Sequence, residues 1–146
     1  MAFFVFNRPE LTRRVFDAIA TARPRELFLI ADGPRPERPG EAELCQAVRQ
    51  VVQAVDWDCK VHVNFSEANM GCRKRVSSGI DWVLSIADRA IFLEDDCLPH
   101  PSFFRFCNEM LDRYSADERI MSISGANFQF GAQRSAESYY YSRFVH

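Results

Sequence analysis

Four short apolar runs recur along this chain, and each of the first three is followed by a segment whose apolar residues return at helical spacing. Phe3 to Phe6 is the first run. Pro9 then opens a helix with Leu11, Val15, Ala18, Ile19 and Ala22 on one face, and Pro24 closes it. Leu27 to Ala31 is the second run, and Glu41 to about Val55 carries Leu44, Val48, Val51, Val52 and Val55 at helical spacing. Lys60 to Phe65 alternates Val61, Val63 and Phe65 as a third strand does, and Val76, Ile80, Val83, Leu84 and Ala87 line another helix. Ala90 to Leu93 is apolar throughout, the mark of a strand buried on both faces. Strands and helices alternating in this way predict an α/β fold, a mostly parallel sheet flanked by helices. A helix from about Ser102 to Tyr114 and a strand from Ile120 to Ser124 complete the pattern.

With 146 residues, 47% of them hydrophobic, and a net charge of -2, the chain reads as one globular domain over 1–146 with a sizeable core. The near-neutral balance offers no broad footprint for nucleic acid, although Arg13-Arg14 and Arg73-Lys74-Arg75 are local basic clusters. Five cysteines, Cys45, Cys59, Cys72, Cys97 and Cys107, form no CxxC pair, which argues against a disulfide framework or a structural zinc and for a reducing, cytoplasmic setting. The apolar start Ala2 to Phe6 is too short for a signal peptide, and no stretch reaches membrane-spanning length.

The fourth run ends in three consecutive acids, Glu94-Asp95-Asp96. Carboxylates packed this closely repel by on the order of 4 kcal/mol per pair at about 4 Å in a protein-like dielectric. A divalent cation relieves that most economically, and oxygen ligands from one or two carboxylates suit Mg²⁺ or Mn²⁺ completed by water and phosphate. A helix beginning near Pro99-His100-Pro101-Ser102 would also welcome negative charge, so the triplet alone leaves both readings open. Position adds to the first reading. Asn7-Arg8 follows the first strand, Asp32-Gly33 the second and the triplet the fourth, so polar groups gather at the carboxyl ends of the strands, where open α/β sheets bind ligands. Asn7 also reads as a cap for the helix opened by Pro9, and Asp32-Gly33 as a turn pair before the loop through Gly40. Asn69-Met70-Gly71 precedes a helix whose first turns carry Arg73, Lys74 and Arg75, where positive charge opposes the helix dipole; an anionic partner such as a diphosphate would resolve that misfit, as would plain solvation.

These segments, from Phe3 to about Asn127, resemble the nucleotide-sugar-dependent glycosyltransferases of the GT-A fold, and among them the N-acetylglucosaminyltransferase I type. Phe6-Asn7-Arg8-Pro9 with Thr12-Arg13-Arg14 is similar to the first-strand segment that receives the nucleotide, and Ile30-Ala31-Asp32-Gly33 to the segment whose aspartate recognises uracil. Glu94 to Phe104 is similar to the family's acidic, DXD-like signature and its following helix. The resemblance implies a Rossmann-like nucleotide-diphospho-sugar transferase fold. It assigns Asp96 to the metal, Asp95 to the ribose and Glu94 to the donor sugar, with Asn7, Arg8, Asp32 and Arg73 at the nucleotide or its phosphates. The implied cofactor is Mn²⁺ or Mg²⁺, the implied donor a UDP-sugar, and the implied acceptor a saccharide or other hydroxyl.

In such a site the metal neutralises charge on the departing nucleotide while a separate carboxylate deprotonates the acceptor. That base lies beyond the matched region, and Glu137, the only acid after Glu118, has nothing to place it at the cleft. The chain therefore reads as the donor-binding half of a longer enzyme, its acceptor half missing. Tyr139-Tyr140-Tyr141 with Phe144-Val145 forms an aromatic tail able to support self-association, and His146 as a metal ligand is the weaker reading of a terminal histidine. A non-catalytic nucleotide-binding or assembly module is the alternative. A phosphohydrolase built on an aspartyl nucleophile would need a lysine and further acids on later strands, which this chain lacks.

Overall fold

The computed structural model describes residues 1–126, 136 and 139–142. The chain divides into two compact units, Met1–Pro101 and Ser102–His146. The first holds β1 (Ala2–Val5), α1 (Pro9–Ala22), β2 (Glu26–Ala31), α2 (Glu41–Gln53), β3 (Lys60–Phe65), α3 (Cys72–Leu84) and β4 (Phe92–Glu94). Its four strands are all parallel, in the spatial order β3-β2-β1-β4, so the α/β architecture expected from the sequence is the one adopted.

The chain steps outward from β1 to β2 to β3, then returns to lay β4 on the other side of β1. Parallel crossovers are right-handed, so this reversal sends α3 to the opposite face of the sheet from α1 and α2. Packing agrees. Ala2, Phe4, Phe28 and Ile30 form one core with Val83 of α3, and Val76, Ile80 and Trp82 pack against it. The alternate residues Phe3, Val5, Leu27 and Leu29 point the other way and are equally buried, as are Val15, Phe16 and Ile19 of α1 and Val48, Val51 and Val52 of α2. The reversal also makes the gap between the carboxyl ends of β1 and β4 a topological switch point.

Several details differ from expectation. On α1 the buried face is Thr12, Val15, Phe16 and Ile19, leaving Leu11 and Ala22 exposed, because the helix turns its Phe16 ring toward Trp57, 5.9 Å away. Leu44 on α2 and Leu84 on α3 are exposed for the same reason of helix rotation, and Ala87 lies beyond the end of α3. Val61 and Val63 are exposed, since β3 is an edge strand and the α1–α2 layer does not reach over it. β4 is neither as long nor as buried as its sequence implies. It is the other edge strand; pairing begins where Ala2 N–H meets the Ile91 carbonyl at 2.7 Å, and of Ala90 to Leu93 only Leu93 is fully buried.

Helix α4 (Pro101–Arg113) leads into the second unit, close to the expected span. The strand expected over Ile120 to Ser124 does not form: among the described residues no strand pairs with it, the Ile120 N–H closes a turn onto the Asp117 carbonyl at 3.0 Å, and Met121 is 86% exposed. Alternation specifies a face, and a strand also needs a partner. The hydroxyls of Tyr139 and Tyr141 lie 2.8 and 2.6 Å from that of Tyr114, with rings edge to face, so part of the aromatic tail finds its packing within this unit. Glu137, Phe144, Val145 and His146 lie outside the described residues.

Candidate functional site

Arg8 leaves the carboxyl end of β1 and reaches across the switch point to both aspartates that follow β4. One guanidinium nitrogen, Nη2, donates to Asp95 Oδ1, and the other, Nη1, donates to Asp96 Oδ2 at 3.0 Å. The backbone N–H of Phe6 donates to Asp95 Oδ2 at 3.3 Å, so the segment just after β1 engages both oxygens of that carboxylate. Asp95 is nearly inaccessible at 3% while Asp96 is 47% exposed, so the same guanidinium joins a buried acid to a solvated one. Burial pushes the Asp95 carboxyl up, against the pull of Arg8 and the Phe6 N–H. Burial also draws Arg8 down, but the two aspartates outweigh it and hold its pKa above the ordinary value. Part of the repulsion in the triplet is thus relieved by a cation of the chain itself. Two carboxylates still share one guanidinium, and Glu94, the last residue of β4, is exposed.

Asn7 does something other than cap. Arg8 is the residue at the start of α1, no side chain caps it, and the Asn7 amide instead donates to Glu41 Oε1 at 2.9 Å. Glu41, the first residue of α2, is buried and also accepts from the backbone N–H of Arg35 at 2.7 Å and from Arg35 Nε and Nη2. The Arg35 guanidinium lies 5.5 Å from the centre of the Phe6 ring. The proline-rich loop between β2 and α2 is therefore tied at Arg35 to the end of β1.

Arg35, first by its side-chain hydrogen bonds, holds the Glu41 carboxyl at about 2, well below the ordinary value of 4.5. The stability this supplies is complete above about pH 4.5 and is lost as pH falls toward 2, because the unfolded chain takes up the proton first. Glu41→Gln is expected to lower stability at neutral pH and to flatten the acid limb of a pH series of urea denaturations. Acid limbs that superimpose for the two proteins would contradict this role.

Asp32, at the end of β2, is buried, and its carboxylate organises the chain before α3. Oδ1 accepts from the N–H of Gly33 at 2.9 Å and of Met70 at 2.8 Å; Oδ2 accepts from Gly71 N–H and Asn69 Nδ2, both at 3.1 Å. Gly33 is required beside it, since a Cβ there would sit 2.5 Å from the backbone carbonyl carbon of Ala68. Of the basic run that opens α3, Arg73 and Lys74 are exposed on the first turn, whose acidic complement is absent. Arg75 is different. It is buried, its Nη2 donates to the Asn64 carbonyl and, at 3.0 Å, to Asn64 Oδ1, and burial lowers its pKa. Its charge therefore belongs to the packing of α3 on β3 and not to a solvent-facing anion site. Arg13 and Arg14 are exposed on α1, and Thr12 is buried.

The structure thus brings Arg8, Asp95 and Asp96 into contact and joins Asn7 to the same edge through Glu41. Asp32 and Arg73 belong to the neighbouring β2–α3 part of that edge. Glu41 and Arg35 escape a reading of the sequence because an acid at a helix start looks like a favourable helix-dipole charge. Among the described residues no group of three or more His, Cys, Asp or Glu side chains is placed to hold a metal ion. Mg²⁺ and Mn²⁺ bound together with phosphate need only one or two carboxylates, and Asp96, exposed and in a cluster with excess negative charge, has that donor chemistry. No helix among the described residues is long and apolar enough to cross a membrane. Compared with family models, with curated proteins and with solved structures, the chain finds no match in any of the three.

Proposed function

We propose that Met1–Pro101 is the donor-binding part of a metal-dependent GT-A glycosyltransferase that takes a nucleotide-diphosphate sugar, first of all a UDP-sugar, and transfers the sugar to an acceptor hydroxyl. The observation that carries this reading is the meeting of Arg8 with Asp95 and Asp96 across the switch point of a parallel sheet. A cation and a pair of acids at that position suit a ligand that is itself an anion bridged by a metal. Asp96 would hold Mn²⁺ or Mg²⁺, which when bound supplies charge neutralisation for the departing nucleotide diphosphate. Asp95 would orient the ribose and Glu94 the donor sugar, while Arg8 and Arg73 would pair with phosphate oxygens. Asp32 and Asn7 would shape the nucleotide pocket, Asp32 by holding residues 69–71 and Asn7 through Glu41.

Thermal melts with Mn²⁺, with UDP and with both test the site. UDP at about 100 times its Kd is expected to add about 2.7 kcal/mol by mass action when Mn²⁺ is present, and Asp96→Ala is expected to lose that gain. A folded protein that shows no shift with either ligand would refute the donor-site reading; release of sugar from UDP-sugars separates transfer from binding alone.

A further inference from the structure

The guanidinium that neutralises the aspartates occupies one of the two Asp96 oxygens open to a metal and sets a positive charge beside the other. Arg8 Nη1 lies 3.0 Å from Asp96 Oδ2, and the remaining oxygen, Oδ1, has only the weak Cys97 thiol donor at 3.6 Å. The two ends of this bridge are unequal. Asp95 is buried and held additionally by the Phe6 N–H, whereas Asp96 and Arg8 are 47% and 44% exposed, so the Asp96 end is the one that can open. Exposed ion pairs are readily exchanged, and a cation brought to Asp96 while Arg8 remains there meets both a lost oxygen and a like charge. A diphosphate changes the balance, since a guanidinium fork matches phosphate oxygens as well as it matches carboxylates.

We propose that Arg8 is a built-in counter-ion that competes with the divalent cation for Asp96 and gives way when a diphosphate takes the guanidinium, making metal and nucleotide binding mutually dependent. This rests on the donor-site reading above. The metal alone binds weakly because Arg8 holds its ligand; the diphosphate alone binds weakly because Asp95 and Asp96 hold Arg8. Bound together, each releases the group that the other needs. Linkage requires the effect to be reciprocal, so UDP tightens Mn²⁺ by the same factor as Mn²⁺ tightens UDP.

Calorimetric titration of the full chain with MnCl₂, with and without saturating UDP, tests this. For the wild type, UDP is expected to tighten Mn²⁺ by about tenfold or more. In Arg8→Ala, Mn²⁺ alone is expected to bind several-fold tighter than to the wild type, and the factor by which UDP tightens it to fall several-fold below the wild-type factor, leaving only the part due to the metal's own contact with the diphosphate. Because alanine leaves Asp95 buried without its guanidinium, Arg8→Lys is the companion variant. It keeps a charge without the fork, and should shift Mn²⁺ binding in the same direction by a smaller factor. Mn²⁺ binding equal in wild type and both folded variants overturns the competition, even where Mn²⁺-dependent UDP binding upholds the donor site. Absence of any Mn²⁺ and UDP binding in all three folded proteins overturns the donor site and this proposal together.

Discussion

Asp32→Ala is expected to destabilise the Met1–Pro101 unit by about 3 kcal/mol and to release the backbone of residues 69–71 from protection. Three backbone N–H groups, of Gly33, Met70 and Gly71, and the Asn69 amide all end on this one carboxylate, whose side chain is almost wholly out of water. Hydrogen bonds to a charged acceptor contribute about 1.5–3 kcal/mol each, and removing the acceptor leaves donors that solvent reaches only by loosening the segment. The four bonds share one carboxylate, so their losses do not add in full. Asp32→Asn should fall between, because its NH₂ would face donors where an oxygen accepted before. Urea denaturation gives the stability change, and hydrogen exchange at Met70 and Gly71 reports the segment. A loss under about 1 kcal/mol with unchanged protection would sink this account. The same variants test the proposed nucleotide role of Asp32: loss of UDP binding at wild-type stability would indicate contact with the base, whereas joint loss of stability and binding would indicate action through residues 69–71.

The strength of this arrangement explains what a sequence discloses and what it withholds. Helix α1 is legible because Pro9 at its first position and Pro24 beyond its end bracket a run of helical period, and β2 because Leu27 to Ala31 is an unbroken apolar stretch in the middle of the sheet. Local pattern suffices where the environment is uniform. It falters at edges. Val61 and Val63 look like core by alternation, but the face of an edge strand is buried only as far as the covering helices extend, and nothing in residues 60–65 encodes that. Met121 to Ser124 alternates as a strand does, but among the described residues no strand lies beside it.

The site divides in the same way. That polar residues after β1, β2 and β4 share one edge follows from parallel topology alone, and Arg8, Asp95 and Asp96 do meet there. Which cation faces the acids depends on side-chain reach across 87 and 88 residues of sequence, a long-range fact that the triplet does not contain. Arg75 was discoverable. Arg75, Gly79 and Val83 recur every four residues and are the buried positions of α3, so the helical period itself separates Arg75 from its exposed neighbours Arg73 and Lys74. Glu41 had a fainter signal, an acid and an arginine six residues apart flanking a proline-rich loop.

Gly79 is where α3 comes nearest the sheet, and Gly79→Val is expected to cost about 3 kcal/mol or more, enough to lower the melting temperature by roughly 10 °C or more. A Cβ built there would lie 2.4 Å from Phe4 Cε1, 2.9 Å from Phe4 Cζ and 3.1 Å from Ile30 Cγ2. Phe4 has little room to yield, since it is buried in the core shared with Phe28 and Ile30 and its ring lies 6.2 Å from that of Phe92. Gly79→Ala separates two opposing effects. Alanine gains about 1 kcal/mol of helix propensity, overpacking costs about 1–3 kcal/mol, and a net loss is expected because the nearest atoms belong to a ring held on several sides. Stabilisation by alanine would show that the Phe4 ring moves aside freely and that the close approach does not control α3. The pairing of Gly79 with Phe4 can be isolated by a double-mutant cycle: Phe4→Leu, which removes the ring edge, should recover part of the Gly79→Val loss, giving a coupling of about 1 kcal/mol or more. The functional consequence follows from connectivity. Phe4 stands on the strand that leads into Asn7 and Arg8, and Gly79 on the helix that begins beside Arg73, so under the proposed donor-site function a rescued pair should regain UDP affinity together with stability. Stability restored without UDP affinity would separate the packing of α3 from the placement of the proposed nucleotide site.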